Sequence, residues 1–112
     1  MQRRQLEFLS NFHVVAGNER SQAAVMVLAK GDSTGGPENR HESSDQWLYV
    51  VSGEGKAVVE QQDYVLKPGT LLLIERNESH AIINQGNAPL KTVNFYVPPA
   101  YHGREGAPPS HD

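Results

Sequence analysis

Histidine is the residue type in this chain best suited to chemistry, because an imidazole can bind a metal or carry a proton near neutral pH. The chain has five histidines. His102 and His111 lie near the C-terminus, where no core would orient them, and His13 stands beside two valines, as a residue on the surface of a strand would. His41 and His80 each follow a polar turn and begin a strand. These two are therefore the candidates for a functional site.

Two amides accompany the candidate histidines. Side chains two residues apart on an extended chain share a face, so Asn39 and His41 project to the same side. Gln46 has the opposite parity, but the turn-rich residues 42–45 predict a bend that brings it round. If His80 lies on a neighbouring strand, the four side chains converge inside the fold. The alternative is that the histidines only form hydrogen bonds at a barrel mouth and that the amides are polar lining.

Length and composition exclude several classes of protein. A chain of 112 residues is one domain's worth. The net charge of −3 provides no basic field, so we expect neither nucleic acid nor an anionic membrane as a partner. The absence of cysteine excludes disulfides, zinc fingers and thiolate nucleophiles. No apolar run approaches the ~20 residues of a membrane span. We expect a cytoplasmic protein.

Strand signals dominate the elements that must position these residues. Short apolar runs are bounded by Gly, Pro, Asn or Asp at regular spacing, which predicts an all-β antiparallel sandwich or barrel. The runs cover residues 23–29, 47–51, 57–59, 64–66, 71–74, 81–83 and 92–97. Residues 3–12 are compatible with a helix, an irregular lead-in or an extra strand, and residues 31–39 predict a loop. Residues 1–101 should form the domain, and residues 102–112 a flexible tail that is dispensable for folding.

The later candidate histidine lies within a spaced motif. Gly69 is followed at fixed intervals by Glu75, Asn77, His80 and Asn84, in the pattern Gly-x5-Glu-x-Asn-x2-His-x3-Asn. The glycine is typical of a turn, and Asn84 is expected to make a structural hydrogen bond.

The earlier candidates lie in a second spaced group, formed by Ser33, Asn39, His41, Gln46 and Gly53. Together the two groups resemble the two motifs of a small single-domain cupin, and half of the positions that those motifs define are matched. The resemblance covers residues 24–101. It implies a cupin-type double-stranded β-helix, also called a jelly-roll barrel.

The resemblance also implies a ligand set. In metal-binding cupins the corresponding positions hold three histidines and a glutamate, which suit Fe, Mn, Ni, Cu or Zn. Carried over by position, the metal ligands here become Asn39, His41, Gln46 and His80. Two imidazoles remain, while neutral amides replace the third imidazole and the carboxylate. A divalent ion should therefore bind more weakly than in the full set, or not at all.

Two functions follow from this comparison. The first is a small cupin that holds a divalent transition metal and a small organic ligand inside the barrel, with dioxygenase-like or isomerase-like chemistry if it is an enzyme. The second is a metal-free module that binds or senses a small molecule without catalysis. Small cupins are commonly dimeric, so the resemblance also implies a homodimer, and residues 6–16 are the expected contributor to its interface.

Overall fold

The computed structural model describes residues 1–36 and 43–101. The predicted tail at residues 102–112 lies outside the described residues, so its flexibility and the domain boundary at residue 101 remain predictions. Every strand pair in the described part is antiparallel. The strands are β1 (Asn11–Gly17), β2 (Gln22–Leu28), β3 (Ser33–Gly36), β4 (Asp45–Ser52), β5 (Gly55–Val59), β6 (Gln62–Leu66), β7 (Leu71–Ile74), β8 (His80–Asn84) and β9 (Leu90–Val97).

The strands form two sheets. Sheet A has the order β1-β2-β9-β4-β7, and sheet B has the order β3-β8-β5-β6. The chain changes sheet six times, and the two sheets are therefore interleaved in sequence. The changes fall between β2 and β3, β3 and β4, β4 and β5, β6 and β7, β7 and β8, and β8 and β9. The all-β architecture expected from the sequence is confirmed. No helix in the described part of the chain is long and apolar enough to cross a membrane.

Alternation along β4 decides which side chains enter the core. Leu48 and Val50 are fully buried, whereas Trp47 and Tyr49 are about two-fifths exposed on the outer face of sheet A. The period of two in a strand produces this division, and it also turns Gln46 inward. The main core cluster contains Met26, Leu28, Leu48, Val50, Ala57, Leu66, Ile82 and Leu90.

The structure corrects one prediction and resolves another. Ser33–Gly36 lies within the segment predicted as a loop, yet it forms β3 and pairs with β8. The glycines there argue against a strand by propensity, but β8 is largely buried and its outer edge needs a hydrogen-bonding partner. Residues 3–12 were compatible with a helix, an irregular lead-in or an extra strand. The structure shows an irregular lead-in up to Leu9 and a strand that begins at Asn11.

Asn84 ties together the end of the barrel, as expected for a structural hydrogen bond. Its Nδ2 donates to the carbonyls of Leu28 and Ala88, each at 2.9 Å. Its Oδ1 accepts from the Gly86 N–H at 2.8 Å. The amide is almost fully buried, so these bonds satisfy groups that water cannot reach.

Candidate functional site

A small cavity of about 40 Å³ lies between the two sheets. Its described lining comes from six strands and from one residue beyond the last strand. The lining residues are Phe12, Met26, Thr34, Gln46, His80, Ile82, Tyr96 and Tyr101. This volume exceeds the roughly 10–15 Å³ that a cavity needs to hold one water molecule. Gln46 and His80, predicted from sequence to converge, therefore line the same space.

Gln46 brings a buried amide to the wall of this cavity. Gln46 is only 4% exposed, and the chain bends at Ser43. That this bend brings Gln46 to the side of Asn39 and His41 stays a prediction, because those two residues lie outside the described part of the chain. The Gln46 Nε2 donates to Asn94 Oδ1 at 3.1 Å, and Asn94 Nδ2 donates to Thr92 Oγ1 at 2.9 Å. The Gln46 Oε1 is buried and has no hydrogen-bond partner in the described structure. Leaving a buried acceptor unsatisfied is costly, which favours an electropositive group beside it.

His80 is the second predicted site residue that lines this cavity. It is 5% exposed at the start of β8, and its Nδ1 lies 3.2 Å from the Glu78 carbonyl oxygen. Because a carbonyl only accepts, Nδ1 carries the proton and Nε2 carries the lone pair of the neutral ring. Burial lowers the pKa of His80, and Glu78 opposes this only in part. A metal-binding histidine commonly has this arrangement, with its other ring nitrogen tied to a carbonyl.

The rest of the described lining is neutral. Tyr96 is fully buried, and burial raises the pKa of its phenol well above the ordinary value, helped by the nearby Tyr101. Both rings pack against Phe12. The cavity wall at neutral pH therefore carries no formal charge among the described residues.

The acidic residue closest in sequence to Gln46 points elsewhere. Asp45 Oδ1 accepts from the backbone N–H of Arg76 at 2.9 Å and lies 3.4 Å from its Nε. These hydrogen bonds with Arg76 lower the pKa of Asp45. The carboxylate is thus engaged at the rim of sheet A. It does not replace the glutamate that the cupin motif would have at Gln46.

Two of the four predicted ligands lie outside the described residues. Asn39 and His41 fall in the gap at residues 37–42, so their part in the site remains a prediction. Within residues 1–36 and 43–101, no group of three or more His, Cys, Asp or Glu side chains could hold a metal. An imidazole and an amide oxygen fit a divalent transition metal in donor type, but they bring no charge to offset it.

Sequence reasoning missed the residues that orient Gln46 and close the cavity. Thr92, Asn94 and Tyr96 share the inward face of β9, and all three are buried. Polar residues at a period of two inside an otherwise apolar strand were the available signal for this buried row. Tyr101 gave no comparable signal, because it follows two prolines beyond the last strand.

The fold and the motif positions define a cupin. Residues 24–96 match the family model described as a cupin domain. The chain belongs to the cupin family, and the cupin-type double-stranded β-helix expected from the sequence is confirmed.

Several known proteins resemble this chain. It is 33% identical over 72 residues to the tetracenomycin polyketide synthase protein TcmJ of Streptomyces glaucescens, covering 64% of this chain and 46% of that protein. It is 30% identical over 80 residues to an oxalate-binding protein of Thermotoga maritima, covering 71% of this chain and 64% of that protein. The crystal structure of BH2720 from Bacillus halodurans superposes with a TM-score of 0.80 at 22% identity, covering 88% of this chain and 79% of that chain. At this identity the similarity shows the fold alone. The chain thus spans about half to two-thirds of the length of these sequence relatives.

Proposed function

We propose that this cupin binds a divalent transition metal inside the barrel, together with a small organic molecule. His41 and His80 would be the strong ligands, and Gln46 and Asn39 would complete the set. The observation that carries the proposal is the unsatisfied Oε1 of Gln46, a residue that lines the same cavity as His80. A buried acceptor without a partner favours a cation beside it.

A bound metal would supply Lewis-acid polarisation of the organic molecule or a place for it beside O₂. That chemistry corresponds to an isomerase-like or a dioxygenase-like enzyme. The chain's own residues would hold the reactants: the Glu78 carbonyl fixes the tautomer of His80, and the Asn94–Thr92 pair fixes the amide of Gln46.

A second candidate function is a metal-free module that binds a small molecule without catalysis. The absence of a carboxylate from the described cavity lining favours it. In that case the Gln46 Oε1 would accept a hydrogen bond from a donor on the ligand. Elemental analysis of protein purified without a metal-binding tag separates the two functions, because only the first predicts a stoichiometric transition metal.

Removing the His80 imidazole should weaken metal binding by at least about 100-fold, because only two strong donors are present in the proposed set. The measurement is calorimetric titration of wild type and His80→Ala with Mn²⁺ and Zn²⁺. His13→Ala is the matched control, since its imidazole bonds to the Ser10 carbonyl and does not line the cavity. Equal affinities in wild type and His80→Ala would exclude His80 as a ligand. A wild type that binds no metal would favour the metal-free module.

We further propose that the homodimer forms through the outer face of sheet A. Trp47 pairs with Phe95 on one side and with Leu73 on the other, so their exposed side chains adjoin. The outer apolar face comprises Trp47, Tyr49, Val51, Leu71, Leu73, Phe95 and Val97, each between 39% and 57% exposed. This is on the order of 600 Å² of apolar surface, and a pair of such faces reaches the size of a standard interface. A second copy of the chain supplies a matching face.

The N-terminal segment is a weaker candidate for this interface than the sequence suggested. Val14 is buried, and Phe12 packs against Tyr96 and Tyr101 inside the barrel. Val14 is therefore unavailable to a partner, whereas Phe12 is partly exposed.

Sedimentation equilibrium at micromolar concentration should give the dimer mass for wild type. Trp47→Lys should shift it to the monomer, because a charge would be buried in the proposed interface. Tyr64→Lys, on the exposed part of β6, is the control and should remain a dimer. A monomeric wild type would refute the dimer, and a dimeric Trp47→Lys would place the interface elsewhere.

A further inference from the structure

The interior cavity has a single exposed residue among its described lining. Five of the lining residues are at most 5% exposed, and Phe12 and Tyr101 are half-buried. Thr34, on β3, is exposed. A residue that lines a cavity and also meets solvent lies where the cavity comes closest to the surface. The solvent side of the interior site is therefore at Thr34.

The aromatic side of the cavity is closed. The Tyr101 ring packs against Phe12 and Tyr96, with ring centroids 4.7 Å and 5.0 Å apart, and a hydrogen bond joins the two tyrosine side chains. Gln22 is almost fully buried and holds the main chain of Tyr101. Its Nε2 donates to the Tyr101 carbonyl at 2.8 Å, and its Oε1 accepts the Tyr101 N–H at 3.0 Å. Entry on this side would break these contacts.

The wall of the barrel is thinnest at β3. This strand lies at the edge of sheet B and pairs only with β8. The neighbours of Thr34 along it are Ser33 and Gly35, which have a small side chain or none. The partner of His80 on β3 is Gly36, another residue without a side chain. Of the described lining residues, only Thr34 comes from β3, so its side chain stands between solvent and His80.

We propose that Thr34 is the entry residue of the interior site, and that water, a metal ion and the polar end of a small molecule reach His80 and Gln46 past its side chain. The size of the side chain at position 34 then sets how fast they enter and leave. It does not set how tightly the site holds them. This inference rests on the interior site of the proposed function and concerns access to that site.

Hydrogen–deuterium exchange at C2 of the His80 imidazole measures this access without a metal, and mass spectrometry of a peptide that contains His80 detects it. Thr34→Trp should slow the exchange about tenfold, which corresponds to a barrier of about 1.4 kcal/mol for moving the larger side chain aside. Thr34→Val, which keeps the size, should exchange as wild type does. The pH profile of the exchange gives the pKa of His80 and the plateau rate separately, and only the plateau rate should change.

Ser33→Trp is the matched control. Ser33 is also exposed on β3, but alternation along the strand puts it on the opposite face, where it lines an outer groove that touches His80 from outside the barrel. Ser33→Trp should leave the exchange of His80 unchanged. His13, which does not line the cavity, is the internal reference in every variant. An unchanged His80 rate in Thr34→Trp, or equal slowing in Ser33→Trp, would overturn the proposal.

A smaller side chain at position 34 keeps the result decisive if Thr34→Trp does not fold. Thr34→Gly should accelerate the exchange of His80, because it widens the opening. Ser33→Gly places the same flexible residue one position earlier on β3 and should have no such effect. Equal His80 rates in these two variants would overturn the proposal.

Zn²⁺ tests the same route for an ion. Thr34→Trp should slow the binding and the release of Zn²⁺ by the same factor of about ten and leave the Kd unchanged, because a barrier at the entrance acts in both directions. Release is measured by transfer of the ion to an excess of a chromogenic chelator. A changed Kd with unchanged rates would overturn the role in entry. A wild type that binds no Zn²⁺ refutes only the metal function, since the exchange experiment contains no metal.

Discussion

Replacing Gln46 with glutamate should tighten the binding of Mn²⁺ or Zn²⁺ by about 100-fold, which is roughly 2.7 kcal/mol. The substitution places a carboxylate at the unsatisfied Oε1 position, where it faces a cation across a weakly screened interior. It also restores the glutamate that the cupin motif has at this position. Gln5→Glu, which adds the same charge at an exposed site, is the control and should leave the affinity unchanged.

The hydrogen-bond chain behind Gln46 can accept this change. In wild type the Gln46 amide donates to Asn94 Oδ1, and Asn94 Nδ2 donates to Thr92 Oγ1. A glutamate cannot donate, so Asn94 must turn its Nδ2 toward the new carboxylate. The Thr92 hydroxyl then donates to Asn94 Oδ1, because a hydroxyl can act in either role. The inverted chain pairs one carboxylate oxygen, and the other oxygen takes the unsatisfied Oε1 position, where it is left to the cation.

The Gln46→Glu variant should also acquire a characteristic pH dependence. Burial should raise the pKa of the new carboxyl above its unfolded value of about 4.3. Above that pH the folded state binds more protons than the unfolded state, so the stability of the metal-free variant falls as the pH rises. Metal binding must release that proton, so affinity rises over the same window. A Gln46→Glu affinity equal to that of wild type at neutral pH would show that Gln46 does not face the ion.

Replacing Gly53 with alanine should lower the free energy of unfolding by about 4 kcal/mol or more. Gly53 has φ +89°, which disfavours any side chain. An alanine Cβ would also collide with the Pro89 carbonyl oxygen and lie 2.8 Å from the Leu90 Cα. Both contacts are with main chain at the start of β9, and Leu90 is fully buried, so neither can give way cheaply.

Gly69→Ala is the matched control for this substitution. Gly69 has φ +94°, almost the same as Gly53, but an added Cβ would meet nothing within 4 Å. Gly69→Ala should therefore lower the free energy of unfolding by only about 1–2 kcal/mol, which is the cost of holding a residue with a side chain in the left-handed backbone conformation. Urea denaturation of the two variants beside wild type gives both values. Equal losses of unfolding free energy in the two variants would mean that the close approach of β9 to Gly53 does not cause the destabilisation.

Sequence periodicity predicted the half of the site that lies on regular strands. Gln46 and His80 sit where a period of two and one short bend place them, and both enter the cavity. The alternation of Trp47 and Tyr49 with Leu48 predicts that the two sets face opposite ways, but not which set is buried. The structure buries Leu48 and exposes both aromatic side chains on the outer face. These features depend only on local geometry, and the pleat of a strand fixes that geometry wherever the strand is placed.

The features that were missed depend on contacts between distant segments. β3 forms in a glycine-rich stretch because β8 needs a partner, and no local signal carries that requirement. Tyr101 reaches the barrel interior because Gln22, far away in sequence, holds its backbone. The two motif glycines look alike in sequence, and only the packing of Leu90 beside Gly53 distinguishes them.

The most direct test of the interior site is nitrogen NMR of the protein labelled with ¹⁵N-histidine, recorded during titration with Zn²⁺. We predict that the metal-free His80 ring is neutral with its proton on Nδ1, and that Zn²⁺ shifts the Nε2 signal while Nδ1 keeps its proton. His13 should not respond. A His80 Nε2 signal that stays unchanged at saturating Zn²⁺ would contradict metal binding at the cavity.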